Sequence, residues 1–257
     1  MTFSNAVFIR PAIASPGNSD MLRRRSSMKL FPSFNLWIVL IPVLCCPPVG
    51  GRAQAGLFSP DANAEIQRKA KKYHLVPVKL AVPGVRIDMR YKKTSASGHP
   101  LYLNSMPCFI HESTGAKLRA AQKILKKDGY SLKIWDAWRP PEAHQALWNA
   151  VRDSRYVVPP SHGLSLHCYG ISVDLTLVKL DGSAVKMPSD FDEFSGSAAS
   201  NYTGGDPEIA RRLKILQNAM RKAGFRTIRS EWWHFDDLHP RGGTRHVTAR
   251  DLGIKMP

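Results

Sequence analysis

The feature that most constrains this chain is an uncharged run close to its start. Residues 30–46 read LFPSFNLWIVLIPVLCC and follow the basic stretch Arg23–Lys29 directly. A small-x-small sequence, Ala53-Gln54-Ala55, comes after the run. A basic segment, an apolar segment and such a cleavage site together form a secretory signal. We therefore expect residues 1–55 to be a leader, cleaved near Ala55-Gly56, and the remaining protein to be exported to the periplasm.

The alternative is that this run stays in place as a membrane anchor. Pro32, Asn35 and Pro42 interrupt it, and it is shorter than the ~20 apolar residues that a spanning helix requires. Cleavage is therefore the favoured interpretation, and we expect no stable membrane span in the mature form. A start at Met21 or Met28 would leave a leader of ordinary length.

Removing the leader changes what the composition implies. The chain has 257 residues and a formal net charge of +17, and residues 1–55 hold six basic side chains against one acidic, so the mature chain carries +12. The remaining residues, 56–257, suit one compact domain. A basic balance excludes an acidic, solvating, disordered protein. The basic residues are scattered rather than clustered, which together with export argues against a nucleic-acid binder.

Apolar spacing and capping residues predict a mixture of short helices and strands. We expect helices at Ala64–Tyr73, from Ser113 or Thr114 to Lys127, from Pro140-Pro141 to Val151, and from Asp206-Pro207 to Gly224. We expect strands at Val78–Val82, Val85–Ile87, Leu132–Trp135, Ile171–Val178, Phe225–Ile228 and Trp233–Asp236. Met187–Gly205 is typical of a long loop, and the basic tail Arg241–Lys255 of a solvated extension. No regular βαβ rhythm is present, which indicates an α+β fold.

The first of two chemically rich segments runs from Ser165 to Asp174. Gly170 can let the chain turn back between His167 and Asp174. In the strand that follows, alternate apolar residues would face the core, while Asp174 and Thr176 face the other way. A carboxylate in that position needs water or a cation as its partner.

The second segment is Glu231-Trp232-Trp233-His234. It brings a carboxylate and an imidazole together beside two indoles that would exclude water. His167, Asp174 and His234 form a nitrogen and oxygen donor set that suits Zn²⁺, with a fourth position left for water. Glu231 would then be free to act as a base on that water.

Taken singly, each of these residues has an ordinary structural explanation. A lone histidine is usually a surface or core residue, an aspartate at a strand edge often caps a turn, and Trp232 and Trp233 could simply belong to the core. Only the combination of spacings indicates a metal site. The other histidines have no partner at metal-binding spacing and are interpreted as surface or structural: His74, His99, His111, His144, His162, His239 and His246.

The pattern Ser-x-His-x-x-Gly-x-x-x-Asp followed by Glu-x-x-His resembles that of the zinc D-alanyl-D-alanine dipeptidases. This family includes vancomycin-resistance dipeptidases and is related to the D-Ala-D-Ala carboxypeptidases and the Hedgehog-like fold. Trp138 stands where the family has Tyr. Further segments match in the same order along nearly the whole mature chain: Ile87–Tyr91, Trp135–Pro140, Asp174–Leu177, Met187-Pro188, Phe191–Phe194, and Met220 with Gly224-Phe225.

The resemblance implies a single α+β domain with a central, mostly antiparallel sheet and flanking helices. It implies an enzyme that uses one zinc ion per chain to hydrolyse the dipeptide D-Ala-D-Ala to two D-alanines. His167, Asp174 and His234 would hold the zinc ion. Glu231 would take a proton from the attacking water and pass it to the leaving amine.

The resemblance also implies that Arg139 hydrogen-bonds the scissile carbonyl oxygen as negative charge develops there. From the residues alone, a structural ion pair with Asp136 is the better interpretation of Arg139. Ser165 is expected to orient either the substrate or the loop that carries the zinc ligand His167, called the ligand loop below. Asp136 is expected to hold Arg139 or to shape the pocket.

Two cysteines, Cys108 and Cys168, remain after the leader is removed. In an exported protein they could form a disulfide that pins the ligand loop. Two buried thiols, or Cys168 as a zinc ligand, are the alternatives.

Three other functions compete with dipeptide hydrolysis. A D,D-carboxypeptidase or endopeptidase acting on peptidoglycan stem peptides would need a more open cleft, which the sequence does not reveal. A non-catalytic zinc or cell-wall binding module would not need Glu231 and Arg139. A nucleic-acid binder would need clustered basic residues, and this chain lacks them.

Overall fold

The structure is a computed structural model that describes residues 60–93 and 98–257, so the predicted leader lies outside the described residues. The helices are α1 (Pro60–Lys71), α2 (Val78–Ala81), α3 (Glu112–Lys127), α4 (Pro141–Val151), α5 (Pro207–Lys222) and α6 (Ala249–Leu252). The strands are β1 (Leu75–Pro77), β2 (Arg86–Ile87), β3 (Phe109–His111), β4 (Tyr130–Asp136), β5 (Ser172–Lys179), β6 (Arg226–Thr227) and β7 (His234–Asp236).

Five of these strands form one sheet in the order β2-β4-β5-β7-β6. Strands β2 and β4 run parallel, and the other three neighbouring pairs are antiparallel. Strands β1 and β3 form a separate antiparallel pair. The predicted α+β class with a mostly antiparallel central sheet is therefore confirmed.

Helices α3 and α5 cover the sheet with apolar side chains at helical spacing. Leu118, Ala121 and Leu125 of α3 are buried, as are Leu216 and Met220 of α5. The Asp206 side chain caps α5 by accepting hydrogen bonds from the backbone at the start of that helix, as its sequence predicts. These contacts fix the central strands, which carry most of the site described below.

A second apolar cluster lies where the chain end meets α1 and α4, and it corrects the prediction for the tail. Val247, Leu252 and Ile254 are buried, and Trp138 Nε1 donates a hydrogen bond to the Val247 carbonyl at 3.1 Å. Residues 241–246 are exposed, whereas from Val247 onward buried positions alternate with exposed ones. The basic residues of the tail led to the prediction of a solvated extension, although the apolar side chains spaced between them are buried.

The predicted strand Val78–Val82 is also wrong, because this segment forms α2. Pro77 and Pro83 bracket it and leave room for about one helical turn. That turn places Val78, Ala81 and Val82 on one buried face, at the i, i+3 and i+4 positions. Here packing outweighs the strand preference of valine.

One further expectation differs from the structure in detail. Helix α3 is capped by His111, whose side chain accepts from the Ser113 backbone, and not by Ser113 or Thr114. Asp174 and Thr176 face away from the apolar core, as expected, and both are buried because strand β5 is covered on both faces. None of the described helices is both long and apolar enough to cross a membrane.

Candidate functional site

The register of the sheet brings three of the predicted residues side by side. Asp174 on β5 lies opposite Asp136 at the end of β4 and opposite His234 on β7. Residues directly opposite each other in an antiparallel pair lie close enough to interact. The sheet therefore aligns two carboxylates and an imidazole in a row across three neighbouring strands.

The second imidazole comes from the short 3-10 turn Leu166–Tyr169, just before β5. Ser165 caps this turn, because its hydroxyl accepts a hydrogen bond from His167 N at 3.3 Å. Gly170 ends the turn in a left-handed conformation (φ 69°), and its carbonyl accepts from His111 N at 2.9 Å. A Cβ at Gly170 would come within 2.6 Å of Leu75 Cδ2, so the close approach also requires glycine.

His167, Asp174 and His234, called the triad below, lie close together. His167 Nε2 lies 3.2 Å from His234 Nδ1 and 3.3 Å from Asp174 Oδ2, and His234 Nδ1 lies 3.0 Å from Asp174 Oδ1. Among the described residues, these three form the group of histidine, cysteine, aspartate and glutamate side chains that could hold a metal ion.

The outer nitrogens of both imidazoles are already hydrogen-bonded. His167 Nδ1 lies 2.7 Å from the Ala137 carbonyl, and His234 Nε2 lies 2.7 Å from Asp236 Oδ1. Ser172 Oγ in turn donates to the same Asp236 oxygen at 2.6 Å. These contacts direct the remaining lone pair of each ring toward Asp174, which is the usual arrangement around a metal-binding histidine. The donor set fits Zn²⁺.

The charges of the triad favour a cation. Burial alone would raise the pKa of the Asp174 carboxyl, but the imidazoles of His167 and His234 hold it well below its ordinary range. Burial alone would lower the pKa of His234, but hydrogen bonds to Asp174 and Asp236 raise it to about 10. The same His234 contact lowers the pKa of Asp236 to about 2 against the effect of burial. A metal ion can supply the positive charge that a proton on His234 supplies otherwise.

Glu231 lies beside the triad without joining it. Its Oε2 is 3.9 Å from His234 Nδ1, and the residue is 7% exposed. Trp232 and Trp233, which follow it, are fully buried in the core. Burial raises the pKa of Glu231 to about 8, Asp174 and Asp192 add to this, and His234 opposes it.

Arg139 lies within a buried polar network around the triad. Its Nε donates to Asp136 Oδ2 at 2.8 Å and its Nη2 to Asp174 Oδ2 at 3.2 Å. Tyr102 Oη donates to the other Asp136 oxygen at 2.9 Å, and the guanidinium lies over the Tyr91 ring at 4.9 Å from its centroid. The ion pair with Asp136 is therefore present, and it holds the guanidinium beside a triad carboxylate.

A cavity of about 310 Å³ opens onto these groups. The structure places the predicted residues Ser165, Arg139, His167, Asp174, Glu231 and His234 along its lining. Asp136 is fully buried behind them, hydrogen-bonded to Arg139.

Asp192 is a lining residue to which the sequence assigned no role. It adopts a left-handed backbone conformation (φ 57°), which is uncommon for a residue other than glycine. Its Oδ1 accepts a long hydrogen bond from Tyr91 Oη at 3.4 Å, and its buried Oδ2 has no partner among the described residues. Burial raises the pKa of Asp192 to about 7, opposed by Arg139. Nothing in the matched segment Phe191–Phe194 signals this strained backbone.

Two other charged lining residues and one histidine were also given no role at the cavity by the sequence. Asp236 could have been found, because it lies two residues after His234 on a strand and therefore shares its face. His144 was interpreted as surface or structural, but it is buried against the cavity, and burial lowers its pKa to about 4. Arg226 is an exposed residue of β6 that only the folded sheet brings to the cavity.

The proposed disulfide is absent, because Cys108 and Cys168 are free thiols. Cys168 is buried next to His167 and Cys108 is half-buried beside β3. Burial raises the pKa of Cys168 to about 12 and that of Cys108 further, so both stay protonated at neutral pH. Cys168 is not part of the metal-binding group, which leaves the alternative of two thiols.

Comparison with known proteins adds an independent observation. A family model described as D-ala-D-ala dipeptidase matches residues 71–248. A D-alanyl-D-alanine dipeptidase of Escherichia coli (strain K12) is 34% identical over 164 residues, which cover 63% of this chain and 83% of the relative. A D-alanyl-D-alanine dipeptidase of Enterococcus faecium is 30% identical over 186 residues, which cover 62% of this chain and 90% of that relative.

Proposed function

Because the chain belongs to the D-Ala-D-Ala dipeptidase family of metallopeptidases, we propose that it hydrolyses the free dipeptide D-Ala-D-Ala to two D-alanines. We propose one Zn²⁺ ion per chain as the cofactor, held by His167, Asp174 and His234. The compact triad, with its outer nitrogens already hydrogen-bonded, supports this choice. When bound, zinc polarises carbonyl oxygens and lowers the pKa of a coordinated water from about 16 to about 7.

Glu231 is the proposed general base. It is a buried carboxyl group beside the triad, and burial raises its pKa to about 8, which is close enough to neutral pH for the group both to accept and to release a proton. It takes the proton from the attacking water and delivers it to the nitrogen of the leaving D-alanine. The buried side chains of Trp232 and Trp233 fix the backbone next to Glu231 and limit the entry of other water.

Arg139 is the proposed partner of the scissile carbonyl oxygen. Asp136 and the Tyr91 ring hold its guanidinium in a buried position beside Asp174. A donor fixed before the reaction stabilises negative charge that develops on the oxygen without having to reorganise. The ion pair with Asp136 is then a positioning contact, so the structural and the chemical interpretations of Arg139 are compatible.

The observation that favours a free dipeptide over a longer stem peptide is the unpartnered carboxylate oxygen of Asp192. A buried charge without a partner is costly, and an ammonium group is the partner that this cavity wall fits. A free dipeptide carries an ammonium on its first residue. The corresponding nitrogen of a stem peptide is an uncharged amide, so Asp192 would bind it more weakly than an ammonium group.

The test is to incubate the zinc-loaded mature protein with D-Ala-D-Ala and, separately, with a pentapeptide stem that ends in D-Ala-D-Ala. Released D-alanine is measured in both. Cleavage of the dipeptide alone is the expected result. Cleavage of the stem at a comparable rate would favour the carboxypeptidase alternative, and zinc binding without cleavage of either would favour a binding module.

We also propose that the enzyme is exported to the periplasm after cleavage near Ala55-Gly56. The proposal rests on the basic, apolar and small-x-small segments of residues 1–55. Cell fractionation with N-terminal sequencing of the periplasmic form tests it. A full-length protein recovered in the membrane fraction would instead support a retained anchor.

A further inference from the structure

The cavity is rich in acids, which creates a difficulty for the other end of the dipeptide. Its lining includes the carboxylates of Asp174, Asp192, Glu231 and Asp236. The substrate carboxylate is negative and would be repelled here unless a cation receives it. The cavity-lining residues that carry a permanent positive charge are Arg139 and Arg226.

Arg139 already faces two carboxylates. It is 6% exposed, its Nε and Nη2 donate to Asp136 and Asp174, and the proposed function assigns its remaining donors to the scissile carbonyl oxygen. Arg226 differs, because its side chain is 59% exposed. Among the described residues it makes one long hydrogen bond, from Nη2 to Asp236 Oδ2 at 3.4 Å. A guanidinium has five N–H donors, so most of those of Arg226 are available for a ligand.

The order of the strands places Arg226 and Asp192 on different sides of the triad. Asp192 accepts a hydrogen bond from Tyr91, which follows β2 at one edge of the sheet. Arg226 belongs to β6 at the other edge, and its guanidinium reaches across to Asp236 on β7. The triad residues Asp174 and His234 lie on the strands between these edges.

We propose that Arg226 is a specificity-determining residue that binds the carboxylate of the substrate's second D-alanine. The inference rests on the proposed dipeptidase function and adds the group that recognises the free carboxyl end. A planar guanidinium can hold a carboxylate through two parallel hydrogen bonds. With Asp192 at the ammonium end, the two ends of the cavity then match the charges of a zwitterionic dipeptide.

The competing explanation is that Arg226 only positions Asp236, which in turn orients His234. The two roles have different consequences. A positioning role would affect every substrate alike, through zinc retention or kcat. A carboxylate-binding role affects KM, and only for substrates that carry the carboxylate.

The test compares D-Ala-D-Ala with D-Ala-D-alaninamide, which lacks the negative charge, on zinc-loaded wild type and Arg226→Met. We expect the variant to raise KM for the dipeptide roughly tenfold, with kcat and zinc content nearly unchanged and KM for the amide unaffected. The matched control is Arg229→Met, which removes an exposed arginine of the same segment that does not line the cavity. An equal change for both substrates, or none for either, would overturn the inference.

Calorimetry separates this inference from the proposed function. Zinc-loaded Glu231→Gln protein, with and without Arg226→Met, is titrated with the dipeptide and with the amide. If the wild type hydrolyses nothing but Arg226→Met still weakens dipeptide binding selectively, the function fails and the inference stands. If the dipeptide is hydrolysed but its binding does not depend on Arg226, the inference fails and the function stands. Absence of dipeptide binding in both proteins overturns the inference as well.

Discussion

The triad and the cavity wall, a name used here for the lining residues Asp192 and Arg226, differ in how their polar atoms are hydrogen-bonded. In the triad, the outer nitrogen of each imidazole has a short hydrogen bond, to the Ala137 carbonyl or to Asp236. On the wall, Asp192 keeps a buried oxygen without a partner among the described residues, and Arg226 makes one long contact. Both regions are built largely from the same sheet and its connections.

This contrast indicates a division of labour. Atoms that hold a metal ion must be oriented before the ion arrives, and hydrogen bonds from neighbouring groups fix that orientation. Atoms that recognise a substrate must keep donors and acceptors free for it. Substitutions in the first region should therefore change metal content, and substitutions in the second should change KM. The following predictions test that separation.

The largest effect is expected from His167→Ala. It removes one of the three proposed ligands and leaves only Asp174 and His234, whose Oδ1 and Nδ1 atoms lie 3.0 Å apart, to hold the ion. We expect the purified variant to lose its zinc and its activity to fall to background. Metal analysis after dialysis and D-alanine release measure the two effects. His162→Ala, which changes an exposed histidine, is the control. Full zinc content in His167→Ala would show that this histidine is not a ligand.

Glu231→Gln should separate chemistry from metal binding. The amide has nearly the same shape but cannot accept the proton, so we expect kcat to fall by about 10²–10⁴-fold while zinc content stays at the wild-type level. Glu208→Gln on the exposed start of α5 serves as the control. Wild-type turnover in a zinc-loaded Glu231→Gln protein would exclude this residue as the base.

The sequence predicted the triad region well because its residues lie close together along two short segments. His167 and Asp174 flank a glycine turn, and Glu231 and His234 share a second segment. A strand that follows a glycine turn has a regular alternation, so the direction of Asp174 was predictable.

The wall and the tail were predicted less well, for physical reasons. The importance of Asp192 depends on its left-handed backbone conformation and on its burial. Neither can be predicted from the presence of an aspartate in the sequence. Arg226 reaches the cavity only because β6 pairs with β7. The helical turn at Val78–Ala81 and the packed tail residue Val247 were decided by long-range packing. Local preference cannot anticipate such contacts.

Asp236→Asn tests whether the outer hydrogen bonds of the triad matter for the metal. Asparagine can still accept a hydrogen bond from His234 Nε2, but it lacks the charge that supports the ring. We expect zinc affinity to fall about 10–100-fold, measured by competition with a chelator. The dipeptide KM of zinc-saturated protein should stay near the wild-type value. Asp88→Asn, on a carboxylate paired with Lys93 and Lys133, is the control. Unchanged zinc affinity would mean that Asp236 only shapes the strand end.

The smallest effect, and the sharpest test of the wall, is expected from Asp192→Asn. The amide cannot form an ion pair with the substrate ammonium, so KM for the dipeptide should rise about tenfold at pH 8, with zinc content unchanged. Asp190→Asn, on a neighbouring carboxylate that pairs with Arg90 at the surface, is the control. A loss of zinc in Asp192→Asn would place this residue functionally with the triad and break the separation.

The same variant makes a pH prediction. The pKa of Asp192 is about 7, because burial raises it, so the carboxylate gains a proton and loses its charge as the pH falls below 7. Below pH 7 the dipeptide amine, whose ordinary pKa is about 7.7–8.0, is almost entirely charged. In the wild type, KM should therefore rise as the pH falls from 7 to 5.5, and in Asp192→Asn this contribution should be absent. Parallel KM profiles in the two proteins would show that Asp192 does not bind the ammonium in its ionised form.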